Sequence, residues 1–132
     1  MVQRIGGTHR YSDIVIHDNI AYLSGVVASD LSGSTYEQTA EVLSTIDRLL
    51  LTAGTTKNNI LSMTIYLTDA SEYDEMNRAF DKWIANNNAP ARATICNVRF
   101  PNALWKIEIT LSAIVPKIHS REPIYNNLNY IR

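Results

Sequence analysis

The pattern of apolar and polar positions divides the chain into seven segments. Ser12 to His17 and Ile20 to Ala28 read as strands, the second rich in aromatic and β-branched residues. His17-Asp18-Asn19 between them suits a tight turn, so the pair reads as a hairpin. The period then changes. Tyr36, Ala40, Leu43, Ile46 and Leu50 recur at helical spacing and predict one buried face, with Glu37, Glu41, Ser44 and Arg48 on the wet side. Ser34 is placed to cap this helix, Glu37 completes a capping box, and Gly54 follows the last turn as a stop. Leu61, Met63, Ile65 and Leu67 alternate with Ser62, Thr64 and Tyr66, which predicts a strand with one apolar face. Ser71, with Asp74 three residues on, predicts the cap of a second helix whose stripe is Tyr73, Met76, Phe80, Trp83 and Ile84; Asn86-Asn87-Asn88 ends it. Strands over about Arg92 to Val98 and about Trp105 to Val115 complete the series. In the last, Ile107, Ile109, Leu111 and Ala113 alternate with Lys106, Glu108, Thr110 and Ser112.

This order predicts an α+β fold, a mixed sheet with two helices on one face. The other sheet face is half polar and needs water or a partner. Past Val115 the periodicity stops. A single domain over 1–115 and a tail over 116–132, disordered or docked on a neighbour, are the expectation.

Size and charge narrow the picture. A chain of 132 residues supports one core and leaves no room for a second domain. Twelve Lys and Arg against thirteen Asp and Glu leave a net charge of -1 and no basic stripe, which argues against nucleic-acid binding. The charged fraction is 19%, below the roughly 25% of typical domains, which fits either ordinary variation or a surface partly buried in an oligomer. No apolar run approaches the ~20 residues of a membrane span, and the N-terminus does not resemble a signal peptide, so a cytoplasmic location is expected. Cys96 stands alone. His9, His17 and His119 lack ligand spacing, and Gly6-Gly7 belongs to no phosphate-binding loop. No metal and no cofactor are expected.

Three positions could carry chemistry. Arg92, after Pro90-Ala91, shares a strand face with Thr94 and Cys96; Glu108 is a lone carboxylate within an apolar strand; Asn77 lies beside Met76 near the core edge of its helix. Each also has an ordinary reading: a salt-bridging arginine, a wet-face glutamate, a half-exposed helix residue. Cys96 fits simple packing.

Taken together, the motifs resemble those of the RidA/YjgF family of small imine deaminases. Arg10-Tyr11-Ser12-Asp13 and Tyr22-Leu23-Ser24-Gly25 resemble its opening. Gln38-Thr39-Ala40 with Val42-Leu43, Ala53-Gly54, Ile65-Tyr66-Leu67-Thr68-Asp69, Met76-Asn77, Pro90-Ala91-Arg92 and Ile107-Glu108-Ile109 follow in order from about Arg10 to Val115. The resemblance implies a chorismate-mutase-like fold and a homotrimer with a closed, barrel-like sheet centre and ligand clefts between subunits. It implies that Arg92 grips a substrate carboxylate, that Glu108 holds the attacking water, and that Tyr11, Ser24, Gly25, Asn77 and Thr94 line the cleft.

The implied reaction is cofactor-free hydrolysis of 2-imino or enamino acids to 2-keto acids and ammonia. The alternative is a non-catalytic trimer that binds small carboxylates or regulates. Ribonuclease activity, attached to some relatives, is opposed by the neutral charge. Three departures mark a divergent branch. Val26 stands where the family's Ser-Gly-Gln has glutamine. Thr94 stands where cysteine is common. The Pro101–Glu108 loop is one residue longer.

Overall fold

The computed structural model describes residues 1–117; the tail expected over 116–132 falls, from residue 118, outside the described residues. Eight elements follow in order: β1 (Gln3–Ile5), β2 (Ile14–His17), β3 (Ile20–Val26), α1 (Thr35–Ala53), β4 (Ile60–Leu67), α2 (Tyr73–Trp83), β5 (Ala91–Ile95) and β6 (Ile107–Ile114). They form one open six-stranded sheet in the order β1-β2-β3-β6-β4-β5. Every pairing is antiparallel except β4 with β5, which are parallel and joined through α2. That crossover makes the sheet mixed, as the pattern predicts.

Local chemistry explains most boundaries. Asp18 and Asn19 both adopt left-handed backbone, with φ 51° and 62°, and close the β2–β3 hairpin as the turn residues suggest. In the capping box at Ser34, the Glu37 amide donates to Ser34 Oγ at 3.2 Å and the Ser34 amide donates to Glu37 Oε1 at 2.9 Å. Gly54, at φ 91°, ends α1. β1 has no counterpart in the sequence pattern, because three residues are too few to show a period. It turns back at Gly6-Gly7, where a side chain on Gly7 would strike the Tyr11 carbonyl.

The structure corrects four expectations. The α1 face on the sheet comprises Gln38, Thr39, Val42, Leu43, Ile46 and Leu50; Ala40 is exposed and Tyr36 half-buried. These two border the groove with α2, where Arg78 and Lys82 lie over the Tyr36 ring. Glu41, assigned to the wet face, is half-buried and accepts from the Ser29 and Asp30 amides. Ser71 caps no helix: Asp69 accepts its amide at 2.8 Å and starts a 3-10 turn, Ala70–Glu72, from which α2 continues without a side-chain cap. Leu61 is 43% exposed, because an irregularity between Ile60 and Ser62 shifts the β4–β6 register and buries Ile60 instead.

The core lies between the helices and one sheet face, where Ile14, Leu23, Leu43, Ile46, Ile65, Met76 and Ile109 are buried. The opposite sheet face has no covering layer among the described residues. It displays Tyr22, Ser62, Thr64, Tyr66, Glu108, Thr110 and Ser112. No helix among the described residues is long and apolar enough to cross a membrane.

Candidate functional site

The residues singled out by sequence fall into two groups. The first lies where edge strand β5 meets α2. Arg92 pairs in register with Met63, a core residue, so its side chain is on the helix-covered face. Its guanidinium carbon sits 4.8 Å from the centre of the Phe80 ring, and Nη2 donates to the Tyr73 hydroxyl at 3.4 Å. The guanidinium thus rests over the ring while four of its N–H groups stay free of Tyr73. No carboxylate pairs with Arg92 among the described residues. Asn77 shares the α2 face of Tyr73 and Phe80, four residues after one and three before the other. Thr94, two residues beyond Arg92 on the same strand face, has a buried Oγ1 with no hydrogen-bond partner.

The second group surrounds an irregularity in β3. The β3–β6 register shifts between Leu23 and Val26, which places Ser24 and Gly25 in a bulge. Ser24 Oγ donates to the Ser12 carbonyl at 2.5 Å, and the Ser24 amide to the Asp13 carbonyl at 3.1 Å. Tyr11, Ser24 and Gly25 border a cleft of about 310 Å³ that reaches Arg48 of α1. Across the bulge stands Glu108, on the open sheet face opposite Tyr66. A Cβ on Gly25 would collide with the Glu108 carboxylate, so glycine is what lets the acid approach the backbone here. Burial raises the Glu108 proton affinity above the ordinary value of a glutamate. Glu108 forms no ion pair among the described residues.

Gly25 therefore joins Tyr11 and Ser24 to Glu108, and Tyr73 with Phe80 joins Asn77 to Arg92. The two groups do not meet within one chain. Arg92 lies on the covered face and Glu108 on the open one. They are two strands apart and three residues out of register, roughly 10 Å in each direction. The pattern assigned Tyr73 and Phe80 to a core stripe. Their role as the seat of Arg92 is legible only from the crossover that lays α2 beside β5. Among the described residues, no group of three or more His, Cys, Asp or Glu is placed to hold a metal ion.

Comparison with known proteins agrees with this fold. A YjgF-family protein of Neisseria meningitidis superposes with a TM-score of 0.85 at 37% identity, covering 89% of this chain and 97% of that one. The family model for endoribonuclease L-PSP matches residues 1–115. A RutC family protein of Haemophilus ducreyi is 46% identical over 115 residues, which is 87% of this chain and 97% of the relative. The chain belongs to this family, the YjgF or RutC family, whose model bears the endoribonuclease L-PSP name. A more distant relative, at 28% identity over 83% of this chain and 82% of its own, is the human protein named 2-iminobutanoate/2-iminopropanoate deaminase.

Proposed function

We propose that the protein hydrolyses 2-imino acids to 2-keto acids and ammonia, at a site assembled from the two groups on different copies of the chain. The observation that carries this reading is Glu108: a carboxylate wedged against Gly25, without a cation partner among the described residues, and with raised proton affinity. Such a group can hold water and take up a proton more readily than a solvated glutamate. Arg92 supplies the complementary requirement. Its guanidinium, held over Phe80, offers a planar fork to a substrate carboxylate.

The chemistry asks little more. The protonated imine carbon is electrophilic. Water held by Glu108 adds to it, and Glu108 takes up one proton of that water. Glu108 returns that proton to the carbinolamine nitrogen, which leaves as ammonia, and the carbinol hydroxyl gives its own proton to Glu108 as its oxygen becomes the carbonyl of a 2-keto acid. No electron transfer is involved. The Thr94 hydroxyl, buried without a partner, lies along the same strand face as Arg92 and is suited to a substrate oxygen. The kinship with the named deaminase supports the same reaction.

Assembly follows from the division of the site. Arg92 and Glu108 face opposite ways in one chain, and the open sheet face carries hydroxyls and tyrosines without a covering layer among the described residues. We infer a cyclic homotrimer that closes these faces inward and brings one copy's Arg92 to another's Glu108. Light scattering should give about three times the 14.8 kDa chain mass. A stable monomer at micromolar concentration removes the shared site.

The catalytic reading is tested with imines generated in place by an amino-acid oxidase. Keto-acid release should exceed the uncatalysed rate. Glu108→Gln should lower turnover about 10²-fold or more, the scale of general acid–base catalysis, with little change in pyruvate affinity. A wild-type protein no faster than the uncatalysed reaction across several imino acids leaves only a carboxylate-binding trimer.

A further inference from the structure

One buried side chain of α1 holds the segment that leads into Glu108. Gln38 is 1% exposed. Its Nε2 donates to the Leu104 carbonyl at 3.1 Å, and its Oε1 accepts from the Lys106 amide at 3.0 Å. A primary amide is the side chain that offers one donor and one acceptor from the same plane, which is what a carbonyl and an amide two residues apart require. The Lys106 carbonyl is also engaged, accepting from the Thr68 amide at 3.2 Å. Both backbone groups of Lys106 are thus fixed, two residues before Glu108 and on the same strand face. On the far side of Glu108, Thr110 Oγ1 donates to the Leu23 carbonyl at 2.6 Å. The carboxylate stands between two pins and against a glycine that leaves no spare room.

We propose that Gln38 is a positioning residue for Glu108: by clamping Leu104 and Lys106 to α1 it fixes where β6 begins and so seats the carboxylate at the Gly25 bulge. The proposal rests on reading Glu108 as the group that activates water. It also gives the segment from Pro101 to Lys106, which leads into β6, a physical consequence. Asn102 ties the loop only to itself, accepting the Leu104 amide on Oδ1 at 2.9 Å and the Trp105 amide on its carbonyl at 3.2 Å. Among the described residues, Gln38 ties that loop to α1. A misplacement on the order of 1 Å at a reacting group is enough to cost 10²-fold in rate.

A buried amide also stabilises a fold, so the test separates position from stability. It compares Gln38→Met, which removes both bonds at similar volume, with Gln38→Asn, whose shorter amide cannot span both partners. Val42→Ala serves as a destabilised control on the same helix; Val42 is fully buried and makes no contact with the loop through a polar group. The readouts are imine turnover, pyruvate affinity and the Glu108 titration midpoint from carboxyl-carbon NMR on the full chain. Lys106 on the same strand, Tyr66 on β4 and, farther along, Tyr22 on β3 are the titratable neighbours on this face, and none bonds to Glu108 among the described residues.

Gln38→Met should lower turnover about tenfold or more while pyruvate affinity stays within about twofold. The Glu108 midpoint should fall toward the ordinary range, because a loosened strand admits water. Gln38→Asn should move both readouts the same way by less, and it carries the test if Gln38→Met does not fold. Val42→Ala should move neither. The proposal is overturned if the Gln38 variants shift turnover and midpoint no more than Val42→Ala does. If the wild type hydrolyses no imine, the catalytic reading fails, and the titration midpoint still decides whether Gln38 seats Glu108.

Discussion

The two sides of β6 behave as two different materials. Ile107, Ile109, Leu111 and Ala113 are at most 5% exposed and meet the helices. Glu108, Thr110 and Ser112, interleaved with them, are half-buried on the open face. There Ser62 and Ser112 share a hydroxyl contact at 3.1 Å, and a shallow cavity of about 300 Å³ is lined by Tyr22, Ser62, Thr64, Thr110 and Ser112. One face gains stability by removing apolar surface from water. The other gains little from burial and is free to carry hydroxyls and an acid. Apolar packing and the display of polar groups are thereby separated by a single step along the strand.

Adjacent substitutions should show the largest difference. Ile109→Ala should cost about 2–5 kcal/mol, from lost transfer energy and the cavity it leaves. Thr110→Ala should cost about 1 kcal/mol, because it removes one hydrogen bond to the Leu23 carbonyl on the half-buried side. Urea unfolding at matched protein concentration measures both. Equal costs would mean that the open face carries the fold as heavily as the covered one.

The covered face was legible because burial imposes a period. Met63, Ile65 and Leu67, and Ile107 to Ala113, repeat every second residue, and the capping box at Ser34 fixes a helix start by local hydrogen bonds alone. Leu61 was misread because a register shift leaves no trace in alternation. Ser71 was misread because an Asx turn at Asp69 competes with a helix cap. The candidate residues were legible through resemblance more than through pattern. Arg92 and Thr94 share a face of β5, with Arg92 on Tyr73 and Phe80 of α2, while Tyr11, Ser24 and Gly25 border one cleft and Gly25 abuts Glu108. Nothing in strand periodicity states that Gly25 lies under Glu108, since that contact depends on a bulge and on pairing across 83 residues of chain. Gln38 enters the sequence reading only within the Gln38-Thr39-Ala40 resemblance, with no role attached. Its partners are 66 and 68 residues away, beyond any local signal.

The Gly25 contact sharpens the comparison at one atom. Gly25→Ala should cost about 1–3 kcal/mol through overpacking against the Glu108 carboxylate, and should lower turnover by displacing it. Glu108→Ala opens the space that the new methyl needs. In that background Gly25→Ala should cost much less, so the double variant should cost less than the sum of the two single variants. Additive costs would place the strain in the bulge backbone rather than at the acid.

The smallest effect is the dependence of stability on pH, and its sign is opposite to the usual one for a carboxylate. Burial raises the Glu108 proton affinity in the folded chain, so between the unfolded and the folded midpoints the folded state holds more protons. Stability from this group is greatest in acid and falls as pH rises through that window, leaving a standing cost at neutral pH. Asp30 and Asp69 act the other way. Hydrogen bonds from Ser32 and Ser71 lower their proton affinity, so their contribution is present above the unfolded midpoint and is lost as pH falls through the folded one. Those two aspartates are common to the wild type and to Glu108→Gln, and cancel when the two are compared. Glu108→Gln keeps the volume and removes the charge, hence the melting temperature of the variant minus that of the wild type should be near its minimum in acid and should climb toward neutral pH. Measuring both at one protein concentration keeps assembly from entering the difference. A difference flat in pH would mean that Glu108 titrates like a solvated glutamate, and that the open face does not shield it.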